Sequence, residues 1–277
     1  MIRIFGCITQ HHDPGLVMIA IAICAIGCWT TVVLLSRARQ KDARNRSAWI
    51  AVSAAIFSLA VWATHFIAML AFRSGLPLGY DVSRTALSIL IAALFTWLGF
   101  SVAVRTRAYA WAGIIIAVGI SGMHYMGMSA VEGPIYIKWD LNYVLASILS
   151  GSVVAALAFL AREHMPPRFA RITKALLLAL SVCCVHFIGM TAVTIVPHAI
   201  SAPIEGEIPA PAIAIAVGSI ALLIVGMGLV SAYLDLYLEK RRNSERRRLM
   251  AHIAALEAEN RALRAQIAGV AAEESRS

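Results

Sequence analysis

The chain has 277 residues, of which 60% are apolar and 14% are charged, and its mean hydropathy is +0.77. These values exclude an ordinary soluble domain and are typical of a helical membrane protein. The formal net charge of +9 is explained by the composition of a few loops, so it is poor evidence for nucleic-acid binding.

Seven apolar runs are long enough to cross a bilayer, because a spanning helix needs about 20 predominantly apolar residues. The runs are predicted, in chain order, at 15–36, 48–72, 82–104, 110–131, 143–161, 172–194 and 211–234. The predicted fold class is therefore an all-α membrane protein with seven transmembrane helices in a lipid bilayer.

The basic residues are concentrated on one side of the predicted membrane. Most follow the first, third, fifth and seventh runs, whereas the other side carries only Arg3, Arg73, Arg84 and Lys138. Because Lys and Arg are enriched in cytoplasmic loops, the amino terminus is predicted outside and the carboxyl terminus in the cytoplasm of a bacterial inner membrane. The first run is expected to be a retained helix rather than a cleaved leader, since it is long enough to span.

Two features near the amino terminus have more than one interpretation. His11 and His12 could cap a pocket at the outer side, although an exposed polar terminus is the more ordinary interpretation. Cys24 and Cys28 are four residues apart on the first helix, and such cysteines usually pack as small apolar residues.

A nine-residue motif recurs in the second, fourth and sixth runs, as THFIAMLAF at 64–72, MHYMGMSAV at 123–131 and VHFIGMTAV at 185–193. His65, His124 and His186 are 59 and 62 residues apart, which leaves room for one helix pair per interval. The sequence therefore predicts three helix-pair repeats plus one further helix. All three histidines fall at a similar depth, about 12–17 Å inward of the outer loops at 1.5 Å per helical residue.

Each motif places a methionine four residues after its histidine, so both side chains share one helix face. If the three faces converge, three imidazoles and three thioethers line one pocket. The six predicted metal ligands are His65, Met69, His124, Met128, His186 and Met190. A hydrogen-bonded polar cluster without metal is the alternative, although intramembrane ionisable residues are functional-site candidates by default.

The donor set favours copper among the metals. Imidazole suits copper, zinc and iron, whereas a thioether is a soft ligand that favours Cu(I). Three histidines alone could also hold zinc with an open fourth position. Haem is the weaker alternative, because no cysteine-linked attachment motif is present.

The tail after the seventh run has the pattern of a coiled coil. The positions Leu249, Ile253, Leu256, Asn260, Leu263, Ile267 and Val270 alternate by four and three residues. Isoleucine at a, leucine at d and one asparagine at a favour a parallel two-stranded coiled coil, and hence a homodimer. A single amphipathic helix is the alternative. The predicted domains are a membrane domain at 1–236 and a cytoplasmic coiled-coil tail at 237–277.

The three motifs and the segment HHDPGLV at 11–17 closely resemble the MHYT domain family of bacterial integral-membrane sensors, over about residues 10 to 235. The resemblance implies a seven-helix sensor that binds copper through His and Met and senses oxygen, CO, NO or redox state. It implicates the same six residues, with Met123 from the tetrapeptide itself. The chain departs from the family pattern at Thr64, Ala68, Met126 and Val185.

No phosphate-binding loop, nucleophile elbow or kinase signature is present, so the chain is not expected to be an enzyme. The expected function is an integral-membrane signalling sensor that acts on an unknown cytoplasmic partner, without nucleic acid. Two alternatives remain open: a membrane-embedded three-histidine zinc hydrolase, and copper handling for assembly of a respiratory oxidase.

Overall fold

A computed structural model describes residues 12–39, 43–72, 78–161, 167–197 and 207–274. These residues form seven helices: α1 Pro14–Ala38, α2 Ala43–Ala71, α3 Val82–Arg105, α4 Tyr109–Ser129, α5 Leu141–Leu160, α6 Pro167–Thr191 and α7 Ala210–Glu274. All seven contain a segment long and apolar enough to cross a membrane. The predicted all-α class with seven spanning helices is confirmed.

Consecutive helices pack in pairs. The three largest helix–helix interfaces are α1 with α2, α3 with α4, and α5 with α6. The predicted organisation as three helix pairs is therefore confirmed, with α7 as the additional helix. The motif-bearing helices α2, α4 and α6 are the second members of these pairs, and their buried faces meet in the interior.

Small residues set the closest approaches between helices. Gly113 of α4 lies directly against the backbone of Ala155 on α5, and Gly27 of α1 lies against Ala60 of α2. A side chain on either glycine would overlap its neighbour, so these interfaces require residues without a Cβ. Such contacts are common between membrane helices, where close van der Waals packing drives association.

One capping arrangement starts the first helix of every pair. Its aspartate accepts a hydrogen bond from a backbone N–H of the first helical turn, which satisfies an otherwise unpaired donor. The backbone N–H of the same aspartate donates to the carbonyl of the alanine in the motif of its own repeat. The three pairs are Asp13 with Ala71 (2.8 Å), Asp81 with Ala130 (2.8 Å) and Asp140 with Ala192 (2.9 Å). The start of the first helix and the end of the motif helix are thereby joined in each repeat.

Short strands lie at the carboxyl-terminal ends of the motif helices. They are β1 Gly79–Asp81, β2 Val131–Glu132, β3 Ile135–Trp139, β4 Val193–Pro197 and β5 Glu207–Pro209. One sheet has the order β2-β1-β5 and the other pairs β3 with β4, all antiparallel. The sequence predicted only loops between these helices, and that prediction is wrong. The alternation in IYIKW at 135–139, exposed only at Tyr136 and Lys138, is the strand signal that was available.

Tyr80 of β1 is the largest side chain buried in these strands, with 2% of its surface exposed. Its burial raises the pKa of the phenol to about 12, so Tyr80 stays neutral at physiological pH. The ring packs 5.4 Å from the ring of Phe66, next to the first motif histidine.

The chain divides into two compact units, Met1–Leu229 and Val230–Ser277. In the second unit the helix α7 runs to Glu274, and the described tail side chains Leu249, Ile253 and Leu256 are exposed. The side chains from 261 onward lie outside the described residues. Coiled-coil pairing and the boundary between 236 and 237 therefore stay predictions.

Replacing Gly113 with valine tests the packing of α4 on α5. The new side chain would overlap the backbone of Ala155, and overpacking of this kind costs about 1–3 kcal/mol. We expect a lower midpoint of thermal unfolding for detergent-purified G113V. Gly218→Val is the matched control, because nothing lies within 4 Å of its Cβ position. Equal midpoints for the two variants would contradict the close contact.

Candidate metal centre

Three imidazoles meet in the interior, one from each motif helix. His65 lies on α2, His124 on α4 and His186 on α6, and their exposed fractions are 2%, 1% and 6%. The ring centroids are 5.0, 5.5 and 5.3 Å apart, and the rings are nearly perpendicular to one another. We call these three residues the histidine triad.

Glycines of neighbouring motifs make room for the rings. The Cβ position of Gly127 is 2.6 Å from Nε2 of His65, and the Cβ position of Gly189 is 2.6 Å from Nε2 of His124. The imidazole of one motif therefore lies against the glycine of the next motif along the chain. Any larger residue at these two positions would push the ring out of the triad.

The Nδ1 atoms of the triad point toward one another. Nδ1 of His65 is 3.3 Å from Nδ1 of His124 and 3.4 Å from Nδ1 of His186. The three Nε2 atoms are buried and have no hydrogen-bond partner among the described residues. A neutral imidazole carries its proton on one of its two nitrogens. No placement of three protons satisfies all six nitrogens, so the protein alone leaves buried polar groups unpaired, which is costly.

The spacing of the triad fits a metal ion. Three nitrogens held at 2.0–2.1 Å around a tetrahedral ion lie about 3.3–3.4 Å apart. The two Nδ1 separations above have these values, and the three ligand atoms all lie within 4.8 Å of one another. An ion held by three Nδ1 atoms would require the proton of each ring on Nε2, so it would fix the tautomers.

The three motif methionines form a second layer beside the triad. Met69, Met128 and Met190 contact one another and are 2–4% exposed. Each lies one helical turn beyond its histidine, and their neighbours include Val131, Ile137, Trp139 and Val193 of the short strands. The structure thus brings the six predicted residues together as a nitrogen layer and a sulfur layer, with the sulfur layer nearer the strands.

The remaining residues considered from the sequence fall in different places. The exposed-terminus interpretation is wrong for His12, which is 2% exposed because the chain before α1 pairs with Phe72 at the end of α2. His11 lies outside the described residues. Cys24, Cys28 and Met123 belong to the main apolar core rather than to the methionine layer.

A third set of residues precedes the capping aspartates, and we call it the aromatic collar; of its members, only His12 was considered from the sequence. Its members are His12, Tyr80 and Trp139. Each pairs its backbone with the residue after a motif alanine, in the pairs His12 with Phe72, Tyr80 with Val131 and Trp139 with Val193. An aromatic ring directly before Asp in HD, YD and WD was the available signal.

Carboxylates are absent from the triad. In the described part of the chain, the triad is the one group of three or more His, Cys, Asp or Glu side chains close enough to share an ion. The acidic residue Glu132 lies in β2, where it forms an ion pair with Arg84 at 3.2 Å. Proton transfer by a carboxylate beside the triad therefore has no support among these residues.

Comparison with known proteins identifies the repeats. The MHYT family, described as "Bacterial signalling protein N terminal repeat", matches residues 59–114 and 118–173. The two matched stretches contain His65 and His124 with their methionines. The chain belongs to the MHYT family. The third motif, at His186, lies beyond the matched stretches and completes the MHYT triad in three dimensions.

Relatives of this MHYT chain are named as signalling proteins. It is 38% identical over 236 residues to an uncharacterized signaling protein of Caulobacter vibrioides, covering 83% of this chain and 29% of that protein. It is 29% identical over 273 residues to the cyclic di-GMP phosphodiesterase NbdA of Pseudomonas aeruginosa, covering 94% of this chain and 34% of NbdA. The bifunctional diguanylate cyclase/cyclic di-GMP phosphodiesterase MucR of the same organism is 28% identical over 243 residues, covering 84% of this chain and 36% of MucR. The chain therefore spans about a third of the length of these relatives. No solved structure matches it.

Replacing Gly127 with alanine tests whether the glycines position the MHYT triad. The added methyl group would lie 2.6 Å from Nε2 of His65, so the ring must move away from its partners. We use Co(II) as a probe ion for the histidine site. We expect a 10–100-fold loss of Co(II) affinity, the usual effect of disturbing the support of a metal ligand. Equilibrium competition with a chromophoric chelator measures it.

The matched control for this experiment is Gly226→Ala, since nothing lies within 4 Å of that Cβ position. G226A is expected to bind Co(II) like the wild type. Unchanged affinity in G127A, with the wild type binding normally, would show that the ring needs no such space.

Proposed function

We propose that this MHYT chain is a membrane sensor that binds one copper ion through the histidine triad and reports the ligand or redox state of that ion to the cytoplasm. The observation that carries the proposal is the convergence of three Nδ1 atoms at 3.3 and 3.4 Å in an apolar interior. Such an ion supplies redox change and binding of a small diatomic molecule such as oxygen, CO or NO.

The choice of copper rests on the two layers of donors. Imidazoles accept Cu(I), Cu(II) and Zn(II), whereas thioethers favour Cu(I). A tetrahedral ion held by the three nitrogens has one position left. The methionine layer lies beside the triad, and its soft sulfur atoms and apolar surroundings stabilise the lower-charged Cu(I).

The proposed orientation places the triad near the outer face. The basic segments follow α1, α3, α5 and α7, which favours those ends in the cytoplasm. Two arginines near the end of α1 support an interfacial position there, because Arg37 lies over the ring of Trp49 and Arg39 over that of Tyr109. The amino terminus is then outside and the carboxyl terminus in the cytoplasm of a bacterial inner membrane.

Signal transfer is proposed to run through helix packing. A change at the ion would alter the preferred separation of α2, α4 and α6, which gives two conformations of the membrane domain. A ligand shifts the equilibrium between these conformations only if it binds them with different affinity. The first part of α7 packs into the same core through Ile213, Val217 and Ile224. The helix α7 continues to Glu274, and we propose that the change is passed along it toward the tail.

The partner is proposed to be a cytoplasmic signalling module of cyclic di-GMP turnover. NbdA and MucR carry names of that activity, and this chain matches only about a third of each. We propose that the membrane domain itself senses and does not catalyse.

A zinc hydrolase is the second candidate, because three histidines with one free position also suit Zn(II). The missing carboxylate beside the triad, among the described residues, disfavours it. Copper handling for a respiratory oxidase is the third candidate and uses the same ligands. It predicts that loss of the tail leaves the protein's function unchanged.

Elemental analysis of detergent-purified protein tests the proposed ligands. We expect about one copper per wild-type chain and at least a tenfold lower copper content in His124→Asn, which removes one of three convergent nitrogens. His252→Asn is the matched control, because His252 is an exposed histidine of the tail. Zinc in place of copper, insensitive to Met69→Leu, would favour the hydrolase instead.

Replacing Leu256 with lysine tests the proposed homodimer. Leu256 is 51% exposed in the single chain and lies at a predicted d position, so a charge there opposes pairing of two tails. We expect at least a tenfold weaker dimer for L256K in light scattering of the full-length protein. Ala254→Lys, at an exposed position outside the a and d positions, is expected to leave the dimer intact. A monomeric wild type would contradict pairing.

A further inference from the structure

The aromatic collar differs between the repeats in one chemically important way. Its members occupy equivalent positions before Asp13, Asp81 and Asp140, and each ring lies against the aromatic residue of a neighbouring motif. The ring separations are 5.4 Å for Tyr80 and Phe66, 5.4 Å for Trp139 and Tyr125, and 6.0 Å for His12 and Phe187. The first repeat alone has an imidazole at this position.

His12 contacts the histidine triad as well as the motif residue Phe187. Its ring centroid is 6.3 Å from that of His186, and the two rings are nearly perpendicular at 75°. This separation is about 1 Å longer than the distances within the triad, which are 5.0–5.5 Å. With 2% of its surface exposed, His12 is as deeply buried as His65.

A fixed backbone holds His12 at this place. It forms a β-bridge with Phe72, and the backbone N–H of Asp13 donates to Ala71 at 2.8 Å. Because the backbone is joined to the end of α2, a turn of the side chain is the motion that brings the imidazole closer to His186. The other two repeats fill the same position with bulky rings that cannot ligate a metal in this way.

We propose that His12 is a fourth nitrogen donor to the metal ion, which completes the tetrahedral position that the triad leaves open. This inference rests on the proposed function, since it assumes an ion at the triad. Three imidazoles plus one exchangeable donor is an arrangement that lets an outside molecule bind. A diatomic ligand at this position would exchange with the imidazole of His12.

The test uses the full-length protein in detergent, loaded with Cu(II), and His12→Phe as the variant. Phenylalanine keeps an aromatic ring where the other repeats have tyrosine and tryptophan, so the collar packing is retained. Pulsed electron paramagnetic resonance counts the imidazoles bound to Cu(II). We expect four in the wild type and three in H12F, with about a tenfold lower copper affinity. Trp139→Phe, the equivalent change in the third repeat, is the matched control and is expected to keep four.

The outcomes separate this inference from the proposed function. Three imidazoles in the wild type, or equal counts in wild type and H12F, overturn the role of His12 and leave the triad site intact. Fewer than three imidazoles in the wild type overturn the triad site itself. If H12F does not fold, the number of imidazoles bound to Cu(II) in the wild type alone decides. His12→Tyr, which carries the collar residue of the second repeat, is then used in place of H12F.

Discussion

Three imidazoles at one depth in an apolar interior are the constraint around which this membrane domain is organised. A buried polar group is tolerated when it is hydrogen-bonded or coordinated. Both Nδ1 contacts of the triad run through His65, whose Nδ1 carries either one proton or one lone pair and therefore cannot satisfy both partners. The rings reach one another because Gly127 and Gly189 have no side chain. The geometry is therefore favourable for a ligand that accepts three nitrogen lone pairs, and unfavourable for a polar cluster satisfied by its own hydrogen bonds.

The repeat makes this geometry by using the same parts three times. In each helix pair an aspartate caps the first helix and also donates its backbone N–H to the motif alanine of the second helix. This alanine is almost fully buried in all three repeats, at 1%, 0% and 1% exposed for Ala71, Ala130 and Ala192. The bond fixes the end of the motif helix against the start of the first helix. The motif histidine, six residues before the alanine, is then held at the same depth in each repeat. The methionine layer and the strands close the space above the triad.

Much of this could be predicted from the sequence. Apolar run length predicted the seven helices, because the bilayer imposes a minimum span, and the spacing of the motif predicted that three histidines lie at one depth. The strands could not be predicted in the same way, since Trp139 pairs with Val193, 54 residues further along the chain, and each strand is only two to five residues long. The burial of His12 was missed for a related reason: its partner Phe72 is remote in sequence, and the collar uses three different residue types. The contacts of Gly127 and Gly189 could not be predicted either, because the atoms that they accommodate are imidazole nitrogens of a different motif helix.

X-ray absorption spectroscopy at the copper edge of the loaded wild-type protein tests the central claim most directly. Multiple scattering from imidazole rings is distinct from that of other nitrogen or sulfur donors, and it reports how many rings bind the ion. The account predicts at least three imidazoles around one copper, with the signal lost when the three histidines are replaced together by asparagine. A site with one imidazole or none, or a signal that persists in the triple variant, would contradict it.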